Sequence, residues 1–337
     1  MQVTKSVLIQ FITLSIDELD KVSCHLYMSS GHIQMATERP ISLSQAASLA
    51  LSKYPHPTLT AYSLGVLVFE LCTAGAIDGQ RLRLKTPLPE RRHYRQVLEF
   101  FLSHGVLREI RGFPLHSVFM VIGQHEPSAQ ALICTVDPFA YISHLSAMEI
   151  HGLTDRLPQT LSVSSPPSMQ WRQFADAKMQ RELGTHFHEY IETGLPQLLR
   201  THLDKLLGHP LQITHTLHLG AFKILEPDGV RVATLGRTFL DMLREPDLCG
   251  GIHHVLDVYQ AHAKRYLGLI VAEVDQHGKA IDKMRAGYVL EELCHLESES
   301  LPVWVRSAKR GGSRKLVAKN SYSSTYSEKW CLSLNAE

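Results

Sequence analysis

The sequence contains few cysteines, and no two of them are spaced like the partners of a metal, redox or disulfide site. Its six cysteines are Cys24, Cys72, Cys134, Cys249, Cys294 and Cys331. This scatter excludes a zinc knuckle, a redox Cys-x-x-Cys pair and the disulfide framework of a small secreted protein. Isolated cysteines of this kind are typically buried, reduced and inert, which predicts a reducing, cytoplasmic environment.

Long apolar runs are absent as well. The longest candidate, residues 61–76, is interrupted by Glu70 and falls short of the roughly 18 apolar residues that a membrane span needs. Acidic residues follow the apolar run at the N-terminus, with no small-residue cleavage site, so we expect no secretory signal. The sequence thus predicts a cytoplasmic protein with no membrane partner.

Motifs of common enzyme classes are also missing. There is no GxSxG elbow, no GxxxxGK(S/T) phosphate loop, no GxGxxG and no HExxH. His186 and His188 are two residues apart, a spacing that serves one metal ion only on a strand. We therefore predict no catalytic residue, no metal, no cofactor and no enzyme activity. The enzyme alternative is a nucleic-acid-processing protein whose residues are dispersed in sequence, and it would need a metal.

What is present is an ordinary globular composition. The chain has 337 residues, of which 44% are apolar and 20% charged. This excludes wholesale disorder, and the length favours two or three domains. The fold class predicted is α+β.

Residues 41–123 have the pattern of a winged helix-turn-helix domain. The predicted helices run from Ser42 or Ser44 to Lys53, from Thr58 or Thr60 to Gly75, and from Glu90 to His104, and two strands cover 106–110 and 117–122. Three helices followed by a β-hairpin is the order of that fold. Residues 1–40 form an N-terminal extension, with a helix predicted from Ser15 to Tyr27.

A linker at 123–130 leads into a second domain, 130–337, predicted to be mixed and mainly helical. Its predicted helices cover 143–152, 238–243, 253–266, 267–277 and 279–295, and its strands cover 161–163, 213–215, 222–225, 230–234 and 329–334. Residues 164–167 are predicted to be a loop.

Positive charge concentrates in the first domain, although the whole chain carries only +1. Between residues 81 and 111, eight cations face three acids, a local charge of +5. The cations are Arg81, Arg83, Lys85, Arg91, Arg92, Arg95, Arg108 and Arg111. Helical spacing separates Arg91, Arg92 and Arg95 from an apolar face, as in a recognition helix that contacts double-stranded DNA. Arg108 and Arg111 would lie in the wing. A solvated basic surface is the alternative.

A second basic patch, residues 306–319, contains no acid and is interleaved with glycine and serine. Its cations are Arg306, Lys309, Arg310, Arg314, Lys315 and Lys319. Three interpretations stay open for it: a second nucleic-acid contact, a partner-binding loop, or a flexible tail.

Three passages of the second region resemble the AbiE-type antitoxin family. VDPFAYISHLSAMEIHGLTDRLPQTLSVSSP (136–166) resembles its extended stretch, "SAL-x-x-HGL" helix and strand. GVRVATLGRTFLDMLREPDLCGGIHHVLDV (229–258) is similar to its strand, "RT-x-LD" helix and glycine pair. KMRAGYVLEEL (283–293) and YSEKWCLSLN (326–335) are similar to its "RLGYLLE" helix and its last, Trp-containing strand. Together they span most of residues 130–335.

This resemblance implies a winged-helix domain joined to an antitoxin domain, in a type IV toxin–antitoxin system of abortive infection. Family members bind repeats in their own operator and repress it. They also counteract a nucleotidyltransferase-like toxin without a stable complex, which leaves direct contact between the two proteins open. The alternative is a winged-helix transcriptional regulator with a ligand-sensing C-terminal domain and no toxin partner.

Motif residues that carry over are Arg237, Thr238, Asp241, Arg285, Gly287, Tyr288 and Trp330. Gly236 stands where the family often has an acid, a departure that questions a salt bridge from that position. Arg237 and Asp241 are four residues apart, a spacing typical of a local ion pair worth a few tenths of a kcal/mol. For these positions a structural interpretation is favoured over a functional one.

Overall fold

A computed structural model of the chain describes residues 39–336, except for residues 219, 307 and 309–313. The helix predicted between Ser15 and Tyr27 lies outside the described residues. Helices and sheets are both present, so the predicted α+β class is confirmed. The chain divides into two compact units: the first comprises Met1–Phe139, Pro166–Gly208 and Pro227–Gly229, and the second comprises Ala140–Ser165, His209–Glu226 and Val230–Glu337.

The first unit begins with alternating helices and strands. They are α1 (Leu43–Ser52), β1 (Thr58–Thr60), α2 (Ala61–Ala74), β2 (Ala76–Ile77), β3 (Gln80–Arg81), α3 (Arg91–Ser103), β4 (Leu107–Glu109) and β5 (Val118–Val121). The predicted helices and both strands of the hairpin are present. β1 was not predicted, and neither was the β2–β3 hairpin, whose turn is Asp78-Gly79.

Local chemistry explains where these helices begin and end. The Ser42 hydroxyl accepts from the Gln45 amide, and the Thr60 hydroxyl accepts from the Ser63 amide, so each caps a helix. Gly75 ends α2 with φ 65°, a left-handed conformation that glycine adopts without a steric penalty. The three strands form an antiparallel sheet in the order β1–β5–β4.

The remaining elements of the first unit are α4 (Ala129–Val136), α6 (Ser168–Leu183), α7 (Phe187–Glu192) and β8 (Lys205–Leu206). The predicted linker at 123–130 therefore ends where α4 begins, because the Ser128 hydroxyl caps that helix through the Ala131 amide. In α6 the fully buried Trp171 donates from Nε1 to Oδ1 of Asp137 over 2.8 Å.

The second unit contains a mixed sheet, with α5 (His144–Ile150) packed beside it. Its strands in this unit are β6 (Tyr141–Ile142), β7 (Leu161–Ser165), β9 (His209–His215), β10 (Phe222–Leu225) and β11 (Val230–Ala233), in the order β10–β11–β6–β7–β9. β11–β6 and β7–β9 are parallel, and the other pairs are antiparallel. β7 runs to Ser165, so the loop predicted at 164–167 starts two residues later.

Helices build the rest of the second unit: α8 (Leu235–Arg244), α9 (Ile252–His277), α10 (Ala280–Gly287) and α11 (Ser300–Val305). The predicted break after Tyr266 is a kink inside α9, where Tyr266 has non-helical angles. A π-helical turn, Tyr288–Leu293, continues α10. The predicted closing strand at 329–334 is wrong in extent: β12 (Tyr326–Ser327) and β13 (Leu332–Ser333) form a short hairpin, and Trp330 lies in its turn.

The helices of the second unit share a hydrophobic core. Fully buried members of it include Phe239, Val255, Tyr259, Ile270, Val289 and Trp330. Among the described residues, no helix is long and apolar enough to cross a membrane.

Candidate functional site

Helix α3 is strongly amphipathic. It buries Tyr94, Val97, Leu98 and Phe101, which recur at the i, i+3, i+4, i+7 spacing of one helix face. At its N-terminus the Glu90 amide donates to the His93 ring over 2.9 Å. Burial of these four side chains holds the helix against the first unit and leaves the opposite face in solvent.

That opposite face is basic. Arg91, Arg92 and Arg95 are all exposed, and Arg92 pairs with Glu90 over 2.9 Å with both side chains largely in solvent. Exposed pairs of this kind contribute at most about 1 kcal/mol, so this pair holds Arg92 in place only weakly. Glu99 is the acid on the exposed surface of the helix.

The other five predicted DNA-binding cations are exposed too. Arg81 lies in β3, Arg83 and Lys85 in the segment after it, Arg108 in β4, and Arg111 in the β4–β5 turn. Arg83 donates weakly to the Pro40 carbonyl over 3.4 Å, and Arg108 lies 3.7 Å from the Glu126 carboxylate. All eight side chains are therefore accessible to a ligand from solvent.

The second basic patch is more engaged with its own chain. Lys309 and Arg310 lie outside the described residues. Arg314 and Lys315 are half-buried, and the Lys315 ammonium donates to the Asn320 carbonyl over 2.7 Å. Exposed Lys319 pairs with Asp247 over 2.8 Å. Apart from Arg306, the described cations of this patch therefore contact other residues of the same unit.

Motif residues of the second unit lie in its interior. Nε of Arg237 lies 2.8 Å from Oδ1 of Asp241, and the two side chains are only 6% and 3% exposed. The predicted pair is present, but it is buried rather than a surface pair. Burial lowers the pKa of Arg237, but Asp241, Tyr141 and Glu273 together raise it by more, so the pKa is raised overall. Oδ2 of Asp241 has no hydrogen-bond partner among the described residues.

The other motif residues also make structural contacts. Arg285 donates to the carbonyls of Leu243 and Lys315 over 3.1 Å each. Gly287 packs so closely on Trp330 that an added Cβ would lie 2.2 Å from its ring. Gly152 has φ 64° just after the end of α5, as expected for a glycine that relieves strain there.

One cluster was not singled out by the sequence analysis. His218, Glu273 and His277 of the second unit bring their nitrogen and oxygen atoms within 4.8 Å of one another. Burial lowers the pKa of His218 to about 4, and burial also lowers the pKa of His277. Both imidazoles are therefore neutral at pH 7, with a nitrogen lone pair available.

The signal that could have found two of the three members is the i, i+4 spacing of Glu273 and His277. By contrast, the His186–His188 segment is helical, and His186 pairs with Glu189 over 2.8 Å.

Comparison with known proteins adds nothing to the description of the fold. No family model matches the chain, and no curated protein matches it. Among solved structures, the chain is similar to the crystal structure of RV2827C protein from Mycobacterium tuberculosis. The identity is 12% over 88% of this chain and 92% of that chain, with a TM-score of 0.44. A likeness this distant carries no argument about function.

Proposed function

We propose that the protein is a cytoplasmic DNA-binding repressor and the antitoxin of an AbiE-type toxin–antitoxin pair. One observation carries the DNA-binding half: α3 buries four apolar side chains and presents Arg91, Arg92 and Arg95 to solvent. The order helix–strand–helix–helix–hairpin around it, with sheet order β1–β5–β4, supports a winged-helix domain with α3 as the recognition helix.

The dimensions of α3 suit this function. Its 13 residues span roughly 20 Å at 1.5 Å per residue, and the major groove, about 12 Å wide, admits an α-helix. Arginine donates in a planar fork that matches phosphate oxygens or the O6/N7 edge of guanine. In this proposal the basic face of α3 enters the major groove.

The hairpin after α3 supplies the wing. Arg108 and Arg111 are exposed on β4 and its turn, where they would contact the DNA backbone or the minor groove. Arg81, Arg83 and Lys85 would neutralise further phosphates.

The antitoxin half rests on the resemblance of residues 136–166, 229–258 and 283–335 to AbiE-type antitoxins. The buried positions of Arg237, Arg285 and Trp330 make the matching motifs part of the scaffold of the second unit. Residues that act on the toxin or its target would then be exposed ones, and the basic patch at 306–319 is the candidate.

The test of DNA binding is a titration of the full chain against its own upstream DNA and against scrambled DNA, over a salt series. The Arg91→Ala/Arg92→Ala/Arg95→Ala variant removes three charges from α3. Each lost phosphate contact reduces the salt slope by about 0.9, so the slope should fall by up to about 2.7, and selectivity for the operator should be lost. The matched control removes three exposed cations elsewhere: Arg172→Ala/Lys205→Ala/Lys264→Ala.

Equal operator affinity in the α3 variant and the control would remove α3 from the proposal. Weak, unselective binding by the unaltered chain would refute the repressor itself. Selective binding without any protection against a co-expressed nucleotidyltransferase-like toxin would favour the ligand-sensing regulator.

Co-expression with that toxin tests the basic patch. Neutralising Lys309, Arg310, Arg314 and Lys315 should reduce rescue of growth more than it reduces thermal stability. Full rescue by this variant would exclude the patch from neutralisation.

A further inference from the structure

Three side chains with metal-binding atoms meet at the end of α9 in the second unit. Glu273 and His277 are one helical turn apart on α9 and share a face. His218 reaches them from the segment between β9 and β10. We propose that these residues form a binding site for a divalent transition-metal ion, with Zn²⁺ as the occupant.

Their spacing suits a single ion after a small adjustment. Nε2 of His218 lies 3.8 Å from Oε1 of Glu273, and the three ligand atoms all lie within 4.8 Å of one another. Tetrahedral zinc with bonds of ~2.0–2.1 Å holds its ligand atoms about 3.4 Å apart, so the largest approach needed is roughly 1.4 Å. The His218 and His277 rings stack with their centroids 3.6 Å apart, so binding also requires the two rings to turn until both face the ion.

Glu273 has a buried carboxylate oxygen whose hydrogen-bonding capacity is unsatisfied within the described part of the chain. Its Oε1 atom is buried and has no hydrogen-bond partner among the described residues, although a buried carboxylate oxygen is costly when left unsatisfied. The helix turn that carries it is fixed by close packing, because a Cβ on Gly236 would lie 2.5 Å from the Leu269 carbonyl and 3.0 Å from Glu273 Cβ. A cation bound here would satisfy this oxygen without moving the backbone.

The arginines near the cluster are paired with acids, so they do not strongly repel a bound cation. Arg237 and Arg244 face the cluster, but Asp241 balances the first over 2.8 Å and Asp282 balances the second over 2.7 Å. Because these pairs are neutral overall, neither arginine leaves an unbalanced positive charge beside the cluster. The cluster also lies at the last turn of α9, where the helix dipole favours positive charge.

The ligand set selects the class of ion. Two imidazoles and one carboxylate suit Zn²⁺, Co²⁺, Ni²⁺ and Fe²⁺, whereas Mg²⁺ and Ca²⁺ prefer oxygen-only sites. Three protein ligands leave the fourth tetrahedral position to water. Bound metal would tie the β9–β10 connection to α9 and stabilise the second unit.

The test uses the full chain without a polyhistidine tag, stripped with chelator and titrated with ZnCl₂, CoCl₂ and MgCl₂. We expect one tight Zn²⁺ per chain, a rise in Tm with Zn²⁺ but not with Mg²⁺, and the visible absorption band of tetrahedral Co²⁺. The variants His218→Ala, Glu273→Gln and His277→Ala should each bind at least ~10-fold more weakly, since even outer-shell changes cost 10–100-fold. The control is His253→Ala, an exposed histidine on the same helix.

Zn²⁺ binding that is equally tight in the unaltered chain and in all three variants would overturn the proposal, as would no binding at micromolar Zn²⁺. Glu273→Gln keeps size and shape, so it decides the matter if an alanine variant fails to fold. The readouts involve neither DNA nor toxin, so this proposal fails or stands independently of the proposed function.

Discussion

The buried pair of Arg237 and Asp241 allows a quantitative test of whether the "RT-x-LD" motif holds the fold. We consider the single variants Arg237→Met and Asp241→Leu and the double variant Arg237→Met/Asp241→Leu. In each single variant one charge stays in the interior beside a neutral side chain. In the double variant both charges are gone and the volume is largely kept.

The expected magnitude follows from burial. An exposed i, i+4 pair contributes about 0.3–0.5 kcal/mol, but these side chains are 6% and 3% exposed. Breaking a buried pair by removing one partner costs about 3–5 kcal/mol, because the remaining charge is desolvated without compensation. Apolar replacement of both partners is often neutral, so the double variant should be more stable than either single variant.

Urea denaturation followed by circular dichroism measures these differences. Lys53→Met is the reference, since Lys53 pairs with Asp78 across two half-exposed side chains and should lose at most about 1 kcal/mol. Single variants that lose less than about 1 kcal/mol, or a double variant whose loss equals the sum of the singles, would refute the argument that this pair is coupled in the interior.

Two further predictions concern the second unit. Gly287→Ala should lose at least about 1–3 kcal/mol, because the added Cβ would lie 2.2 Å from the Trp330 ring; an unchanged Tm would contradict this packing. Burial lowers the pKa of His151, so the folded chain resists protonation while the unfolded chain gains a proton near pH 6.5. The stability that depends on neutral His151 is thus present above pH 6.5 and lost as the pH falls. His151→Gln should flatten the decline of unfolding free energy between pH 7 and 5, and parallel curves for the two proteins would exclude this contribution.

The first unit shows which parts of the fold a sequence pattern can predict. α3 was predictable because Tyr94, Val97, Leu98 and Phe101 mark one helix face and Gly105, with φ 65°, follows its end. α6 was not, since its buried residues, Trp171, Ala175, Met179 and Leu183, recur only once per turn among polar neighbours. Such a narrow stripe lacks the i, i+3 partners that mark an amphipathic helix.

The candidate sites also differ in whether the sequence alone could predict them. The basic face of α3 is local in sequence, so charge counting found Arg91, Arg92 and Arg95. The histidine cluster joins His218, which lies between β9 and β10, to Glu273 and His277 of α9, so only the tertiary fold brings the three side chains together. Burial of Arg237 and Asp241 was likewise invisible, because an i, i+4 spacing looks the same on a surface helix and in a core.

The charge distribution bears on how the proposed repressor would approach and select its DNA. Residues 81–111 carry +5 and residues 306–319 carry +6, in a chain of +1, so the remaining residues together carry −10. In the proposed function this acidic remainder repels DNA phosphates, so the basic segments would orient the protein as it approaches DNA. Net charge would then add little to affinity, and selective operator binding would have to come from base contacts by side chains such as Arg91, Arg92 and Arg95.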